Sequence, residues 1–345
     1  MKEQLGFITV GQGGGNIGLL LEQKGYKVLH INTSPEDLAT LKEAKHVYHI
    51  KGGEGCKKDR NKAKVLIEKD FETISENIKQ VIPHEYVIVV FTTGGGTGSG
   101  SSPMLIELLI EHLGKKVGVV CVLPSRKEQL RTFINAYECF VELEGIDGLG
   151  ATFILDNEKA EADKFSINDS FVELLDSLLK VPEYHNAKGN IDVAEMKELL
   201  STRGAAVISK LTKNADDAKA LIKSFRENIF APVEGDRIIK YIGLSALSSI
   251  DVSEVTVETG TCLEVFQGVN PINTVCVFCG LTYPYTELKK LKERVEENKE
   301  VIVKMASTKA IRLDDGIDLA DDLEEKQFVK SKKNVTDVFA KYRKK

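Results

Sequence analysis

Residues 94–100 read Gly-Gly-Gly-Thr-Gly-Ser-Gly, between the apolar run Tyr86–Phe91 and the amphipathic run Ser102–Leu113. No other stretch restricts the possible folds as much. Five glycines in seven residues leave almost no side chains between the backbone and whatever approaches it. Successive free N–H groups at a strand-to-helix turn form a nest for anions, and the positive end of the helix dipole points into it. Thr97 and Ser99 add hydroxyl donors. A purely structural turn has little use for so much glycine, so Gly94, Gly95, Gly96, Gly98 and Gly100 point to bound phosphate groups. The Gly-x-x-x-x-Gly-Lys-Ser/Thr pattern of P-loop enzymes is absent. With no lysine fixed in the loop, helix N-termini, backbone nests and a Mg2+ ion are expected to neutralise the phosphates.

A second glycine-rich turn, Gly11-Gln12-Gly13-Gly14-Gly15-Asn16, follows the apolar run Leu5–Val10. Gly13-x-Gly15-x-x-Gly18 matches the dinucleotide fingerprint, a weak pattern by itself. A dinucleotide site also wants an acid at the end of the second strand, and here that end reads Asn32-Thr33. A nicotinamide-dependent oxidoreductase is therefore disfavoured.

Over the first 155 residues, β-branched apolar runs alternate with helical patterns. The runs are Leu5–Val10, Lys27–Ile31, His46–Ile50, Tyr86–Phe91, Val117–Leu123 and Thr152–Leu155. The helical patterns are Asn16–Lys24, Glu36–Ala44, Asn61–Ile82, Ser102–Leu113 and Glu128–Leu143. The alternation predicts an α/β fold, a Rossmann-like parallel sheet covered on both faces, with ligands at the carboxyl ends of its strands. Ser166–Val181 reads as a long amphipathic helix that Pro182 ends. Beyond it the pattern predicts helices near Val193–Ser201, Asp216–Asn228 and Tyr285–Asn298. Strands are expected near Ala205–Ser209, Arg237–Ser245, Glu254–Val265, Asn273–Leu281 and Glu300–Met305. This makes a second, smaller α+β domain over 184–306, after a first domain over 1–164 and a central helix over 165–183. A C-terminal tail would occupy 307–345.

Composition excludes several classes. The 345 residues are 42% hydrophobic, enough for a sizeable core. A net charge of −5 is not that of a protein that coats nucleic acid. No apolar stretch reaches membrane-spanning length, and the first residues lack a signal-peptide core. Cys121 and Cys276 lie in apolar runs, which suits reduced thiols and a cytoplasmic location. Cys276-Val-Phe-Cys279 reads as core, since residues three apart on a strand point to opposite faces. The tail is polarised: Asp314–Glu325 holds seven acids, and Lys326–Lys345 holds eight Lys/Arg against one Asp. Phe328, Val335, Val338, Phe339 and Tyr342 recur among those charges at helical spacing. The reading is a C-terminal helix with one sticky and one basic face, serving partners and not the fold.

The heptapeptide Gly94–Gly100 is similar to the signature loop of the tubulin/FtsZ family, and the resemblance extends over most of the chain. Gly11–Asn16 resembles the first nucleotide loop, with Asn16 facing the base, and Asn32-Thr33-Ser34 resembles the second. Lys51–Arg60 takes the place of the third, which senses the γ-phosphate; here it is lysine-rich and diverged, and Gly52, Gly53 and Lys57 are the weaker matches. Leu123-Pro124 with Glu128 resembles the ribose loop, which implies that Glu128 holds the sugar hydroxyls and that Arg131 assists. Asp156-Asn157 stands where the sixth loop would lie. Ser166–Val181 resembles the central helix, with Phe165 stacking on guanine. Asp169 would read the N1 and N2 protons, and Asn168 is a competing candidate. An acidic acceptor facing two donors distinguishes guanine from adenine, so the resemblance implies GTP and GDP as ligands.

Asn190-Ile-Asp192-Val-Ala-Glu195 resembles the seventh loop, which in the family enters the nucleotide site of the next subunit. Its acids would orient the attacking water, so hydrolysis of GTP to GDP and phosphate would occur only in a head-to-tail filament of the chain with itself. Asp192 followed by Glu195 also fits a helix capping box, and the two readings are compatible. The Pro-Phe-x-Phe-Glu-Gly ribose pattern of FtsZ is missing, as is its tail peptide, and the chain is short for eukaryotic tubulin. A basic C-terminal helix on a divergent core resembles the TubZ branch, whose filaments segregate plasmid or phage DNA. The resemblance implies a DNA-binding, TubR-like adaptor held by the tail, with DNA engaged indirectly and no membrane. FtsZ-like cell division is the alternative within the family. A non-catalytic nucleotide-binding scaffold is a third reading, and Asp192 and Glu195 argue against it.

Overall fold

The computed structural model describes residues 1–160, 165–185, 189–213, 215–234, 238–298, 303 and 335–343. The β-branched runs of the first half form β1 (Leu5–Val10), β2 (Lys27–Asn32), β3 (Val47–His49), β4 (Tyr86–Thr92), β5 (Lys116–Leu123) and β6 (Leu149–Asp156). Every residue of β1 is buried, as a strand covered on both faces requires. The helices between them are α1 (Gly11–Gln23), α2 (Pro35–Thr40), α3 (Arg60–Val81), α4 (Thr97–Glu111) and α5 (Leu130–Glu144).

With β7 (Gly204–Leu211), β8 (Ile238–Ala246), β9 (Thr261–Val269) and β10 (Thr274–Leu281), the ten strands among the described residues lie in one sheet, in the order β3-β2-β1-β4-β5-β6-β7-β10-β8-β9. The pairings from β3 to β7 (Gly204–Leu211) are parallel. Chain order reverses between β1 and β4, which run side by side from Leu5↔Tyr86 to Val10↔Phe91. In such a sheet the crevice outside the carboxyl ends at the reversal is where ligands bind. Here that crevice is walled by the two glycine turns.

The second half continues this sheet through a three-residue pairing, Ala151↔Gly204 to Phe153↔Ala206. β10 (Thr274–Leu281) then runs antiparallel to both β7 and β8 (Ile238–Ala246). β9 (Thr261–Val269) pairs parallel with β8 at the edge. The helices here are α6 (Phe165–Leu179), α7 (Val193–Ser201), α8 (Ala218–Arg226), α9 (Val252–Thr259) and α10 (Tyr285–Glu297). Cys276 and Cys279 are buried in β10, as their spacing suggested, and all six cysteines are free.

One expected strand is helix over its first half. Glu254–Val265 is split between α9 and the first half of β9. The Asp251 carboxylate caps α9 by accepting from the Ser253 N–H at 2.8 Å, and Gly260 ends it at φ 130°. Its Val and Thr content reads as strand, but Val255 and Thr259, four apart, are buried on one face. Tertiary burial at helical spacing overrides the β-branched preference.

The C-terminal helix α11 (Val335–Arg343) corrects a second expectation, because it packs on the body. Val338 and Tyr342 are buried in the core cluster that includes Phe71, Leu105 and Leu109. Phe339 meets Phe71 edge-on at 5.8 Å between centroids. Lys341 donates to Glu107 at 2.8 Å, and Arg343 pairs with Glu68. The stripe expected to be sticky finds its partner in α3 and α4. Phe328, the acidic run Asp314–Glu325 and most of the expected strand Glu300–Met305 lie outside the described residues.

α6 lies against α1 and descends from the glycine turns to the opposite end of the sheet. Lys24 pairs with Glu173, the Tyr26 hydroxyl donates to Asp176 at 3.0 Å, and the amino terminus of Met1 donates to the Leu179 carbonyl at 3.4 Å. α6 therefore ends at the amino-terminal edge of the strands, and α7 ends there too, where the hydroxyl of Tyr86, first residue of β4, donates to the Leu200 carbonyl.

Candidate functional site

Both glycine turns run straight into helices. α1 begins at Gly11 and α4 at Thr97, five residues earlier than the hydrophobic pattern suggests for each. Low helix propensity hides these first turns in the sequence. Close packing explains the glycines: a β-carbon on Gly14 would stand 2.3 Å from the Val90 carbonyl oxygen, and one on Gly98 would stand 3.0 Å from that of Thr92. Gly11 and Gly98 are themselves adjacent across the two turns. Neither helix has a side-chain cap, with Val10 and Gly96 at the cap positions. Ser34, Asp59, Asp192, Asp217 and Asp251 cap α2, α3, α7, α8 and α9. The two starts that meet at the strand reversal thus keep first-turn N–H groups for an anion.

Side chains tie the surrounding loops together. Thr33 and Thr97 join through their hydroxyls at 2.6 Å. The Asn32 amide is engaged at both ends inside the second loop, donating to Asp37 at 3.3 Å and accepting from the Ser34 N–H at 3.2 Å. Gln12 donates to Asn16 and to Thr40, both at 3.0 Å, while its Oε1 is buried with no hydrogen-bond partner among the described residues. Ser99 donates from its hydroxyl to the Gly95 carbonyl.

The third loop is seated on the phosphate turn. A β-carbon on Gly96 would lie 2.9 Å from Cys56 Cβ and 3.0 Å from Lys58 Cα. Lys57 and Lys58 take left-handed φ values of 46° and 63°, and no other non-glycine among the described residues has a positive φ. Two residues that the sequence reading passed over hold this arrangement. Asn135 on α5, 1% exposed, donates to the Lys58, Gly94 and Gly95 carbonyls at 3.0, 3.3 and 3.0 Å. Arg60 donates to the Ser99 carbonyl at 3.1 Å, to Glu138 at 2.7 Å and to Glu142 at 2.5 Å. Burial opposes the Arg60 charge, but the carboxylates of Glu142 and Glu138 outweigh it and hold its pKa above the ordinary arginine value. Lys64 completes the buried cluster on Glu142 at 2.5 Å. The polar spacing of Asn135, Glu138 and Glu142 along an apolar helix was the available signal, and it identifies no partner by itself.

The residues expected around sugar and base are spread over the rim. Pro124 is buried, and Glu128 accepts from the Ser125 N–H at 3.3 Å. Arg131 donates from Nε to the Lys58 carbonyl at 3.3 Å, toward the third loop. Asn157 opens a short 3-10 turn after β6. Phe165 starts α6, with Asn168 half-buried and Asp169 exposed one turn on.

Asn190, Asp192 and Glu195 stand apart from all of these. Asp192 accepts from the Glu195 N–H at 2.8 Å and Glu195 from the Asp192 N–H at 2.9 Å, closing a capping box on α7. Asn190 packs beside Gly268 of edge strand β9. The last turn of α7 lies by the start of β4, where Leu200 accepts from Tyr86, and the seven residues of β4 at about 3.3 Å each put that turn roughly 20 Å from the glycine turns.

An α/β sheet whose strand reversal is met by two uncapped, glycine-lined helix starts defines a protein that binds a nucleotide through its phosphates. The comparisons narrow the class. Residues 4–162 match the family model of the tubulin/FtsZ GTPase domain. The chain is 34% identical over 304 residues to the tubulin-like protein TubZ of Clostridium botulinum C phage, covering 86% of this chain and 84% of that one. It is 27% identical over 283 residues to the tubulin-like protein CetZ of Pyrococcus abyssi, covering 77% and 76%. Its structure matches that of Clostridium botulinum phage c-st TubZ with a TM-score of 0.78 at 32% identity, over 87% of this chain and 99% of that one. The chain belongs to the tubulin/FtsZ family and is a GTPase.

Proposed function

We propose that this GTPase assembles head to tail into filaments of the TubZ kind, hydrolyses GTP where subunits meet, and uses that turnover to segregate plasmid or phage DNA. The observation that carries the reading is the separation of two half-sites. The phosphate turns lie at the carboxyl end of the sheet, and the segment that carries Asp192 and Glu195 is anchored at both ends to its amino edge, Glu183 by the Met1 amino terminus and Leu200 by the Tyr86 hydroxyl. Acids on a segment so anchored serve phosphates of another subunit and not those bound at the carboxyl end of their own. A copy stacked along the strand direction brings the acidic end of one subunit to the phosphate end of the next. The similarity to TubZ supports the DNA-segregation role, and a solved structure named as a GTPγS-form protofilament of Bacillus thuringiensis TubZ shares the fold at 17% identity.

At that joint the chain's own residues have separate tasks. First-turn N–H groups of α1 and α4 bind the phosphates, and Asp169 or Asn168 accepts from the guanine edge. Asp192 and Glu195 of the neighbour orient a water and hold its proton as the oxygen attacks the terminal phosphorus. Mg2+ fits the donor set in part. Gln12 Oε1 is a buried, unpartnered neutral oxygen, and no group of three or more His, Cys, Asp or Glu among the described residues could hold an ion alone. The ion would sit on Gln12, water and the nucleotide's own oxygens, and when bound it neutralises phosphate charge.

The test is light scattering of the full chain with GTP, a slowly hydrolysed GTP analogue, GDP and ATP. GTP and the analogue should give polymer, the analogue polymer should persist, and GDP and ATP should give none. Equal polymer with ATP overturns the guanine assignment, and hydrolysis by dilute monomer at the polymer rate overturns the shared site.

A further inference from the structure

The turn that follows β4 is held from behind by one side chain. Asn135 on α5, 1% exposed, donates from Nδ2 to the carbonyls of Gly94, Gly95 and Lys58 at 3.3, 3.0 and 3.0 Å. An amide nitrogen carries two N–H bonds, so the three converging oxygens share them. These oxygens differ in what else holds them. The Gly95 carbonyl also accepts from the Ser99 hydroxyl, and the Lys58 carbonyl from Arg131 at 3.3 Å. The Gly94 carbonyl has no second donor among the described residues.

Peptide geometry carries this clasp to the opposite side of the turn. In a planar trans peptide, the C=O of one residue and the N–H of the next point opposite ways. Holding the Gly94 and Gly95 carbonyls on Asn135 therefore aims the Gly95 and Gly96 N–H groups away from α5. Neither N–H donates to a protein group among the described residues. The Lys58 peptide obeys the same rule with another result: the Asp59 N–H is taken by the Cys56 carbonyl at 2.7 Å, inside its own loop. The clasp thus leaves two open donors on consecutive residues, the arrangement of an anion nest.

The glycine at 95 is an independent observation. A β-carbon on Gly94 would collide with Thr132, and one on Gly96 would lie 2.9 Å from Cys56 Cβ. Those on Gly98 and Gly100 would lie 3.0 Å from the Thr92 carbonyl oxygen and 2.6 Å from that of Arg60. One on Gly95 would meet nothing nearer than Thr92 Oγ1 at 3.6 Å, and its φ is not in the left-handed range. Packing among the described residues gives no reason for a glycine there. A group seated against its backbone does.

We propose that Asn135 is the positioning residue of the phosphate turn: its amide holds the Gly94–Gly95 and Gly95–Gly96 peptides with their N–H groups toward the nucleotide's phosphates. Asn135 itself touches no nucleotide. The proposal rests on the phosphates of GTP and GDP lying at this turn. Without the amide, the Gly94–Gly95 peptide loses its tether and turns, and a carbonyl oxygen replaces the donor that a phosphate oxygen needs.

The experiment measures equilibrium binding of GDP and of guanosine to full-length protein. Guanosine reports the base and sugar contacts of a folded site without any phosphate. Asn135→Ala removes the donors, and Asn135→Asp keeps the shape while offering an acceptor in their place. Both should weaken GDP by roughly ten- to a hundredfold, the scale of bonds to a charged group, and guanosine by less than about threefold. Equal loss for both ligands would make Asn135 a prop of the fold, and no loss for either would leave it without a role in binding. Both results overturn the proposal. In wild-type protein carrying isotope-labelled glycine, the Gly95 and Gly96 amide resonances should move downfield with GDP and stay in place with guanosine. Resonances that stay in place with both overturn it even where a variant does not fold. Wild-type protein that binds GDP no more tightly than guanosine fails the assignment of phosphates to this turn, and the proposal with it.

Discussion

Replacing Asp192 by asparagine separates the capping duty that the structure shows for this side chain from the catalytic duty proposed for it. The carboxylate caps α7 through the Glu195 N–H at 2.8 Å, and Glu195 returns the bond at 2.9 Å. Alanine would remove the cap and cost about 1 kcal/mol of stability, on the order of 0.5–2. Asparagine keeps a carbonyl oxygen in the same place and caps as well as aspartate, so its stability should fall by no more than a few tenths of a kcal/mol. It cannot hold the proton of an attacking water, and loss of a positioned acid–base group slows chemistry by roughly 10²–10⁴. Asp192→Asn should therefore unfold in urea at the wild-type midpoint and bind GTP as monomer with unchanged affinity. It should still polymerise, while phosphate release per subunit in pelleted polymer drops by at least a hundredfold. Mixed at low ratio into wild type, it should slow turnover beyond its own fraction, because each copy disables its neighbour's site. The reasoning is refuted if the asparagine polymer releases phosphate at the wild-type rate. It is also refuted if only the alanine variant is slow, in proportion to its lost stability.

Other outcomes follow from the same contacts. Arg60→Leu should destabilise the protein by about 3–5 kcal/mol in urea titration without nucleotide, since it leaves Glu142 buried with only Lys64; a loss under 1 kcal/mol would show that the cluster relaxes to water. Tyr342→Ala should release α11, so that trypsin cuts faster after Lys341 and Arg343, while GTP-driven polymer is retained; unchanged protection would mean that Val338 and the Lys341–Glu107 pair hold the helix alone. Burial lowers the His30 pKa from 6.5 to about 4, so the neutral ring favours the fold. That contribution is present above pH 6.5 and is lost as pH falls toward 4, amounting to about 3 kcal/mol at most. His30→Gln should flatten the stability profile in that window, and an identical profile in the variant would assign the slope elsewhere. Asp169→Ala should weaken GTP far more than ATP, read as the ratio of their dissociation constants, and an unchanged ratio would move guanine recognition to Asn168.

What could be read from the chain alone was whatever neighbouring residues decide. Runs such as Tyr86–Phe91 commit to strands because β-branched side chains suit a sheet covered on both faces. Gly94–Gly100 announces a turn that other backbone approaches closely, because such approach needs glycine. Asp192 and Glu195 announce a helix start because a capping box closes within four residues. The tertiary structure decided matters that depend on distant segments. It continued one sheet through β6 and β7, made Val252–Thr259 a helix by burying Val255 and Thr259, and seated α11 on α3 and α4. It brought Asn135 to three carbonyls of two loops, from 41, 40 and 77 residues away, and Arg60 to the Ser99 carbonyl. It also anchored the segment that carries the α7 acids to the amino edge of the sheet, through Met1–Glu183 and Tyr86–Leu200. A propensity acts over a few residues, so it signals an element or a cap. A clasp, a docked helix or a divided site arises only when strand pairing fixes which remote side chains meet, and that depends on the burial of the whole core.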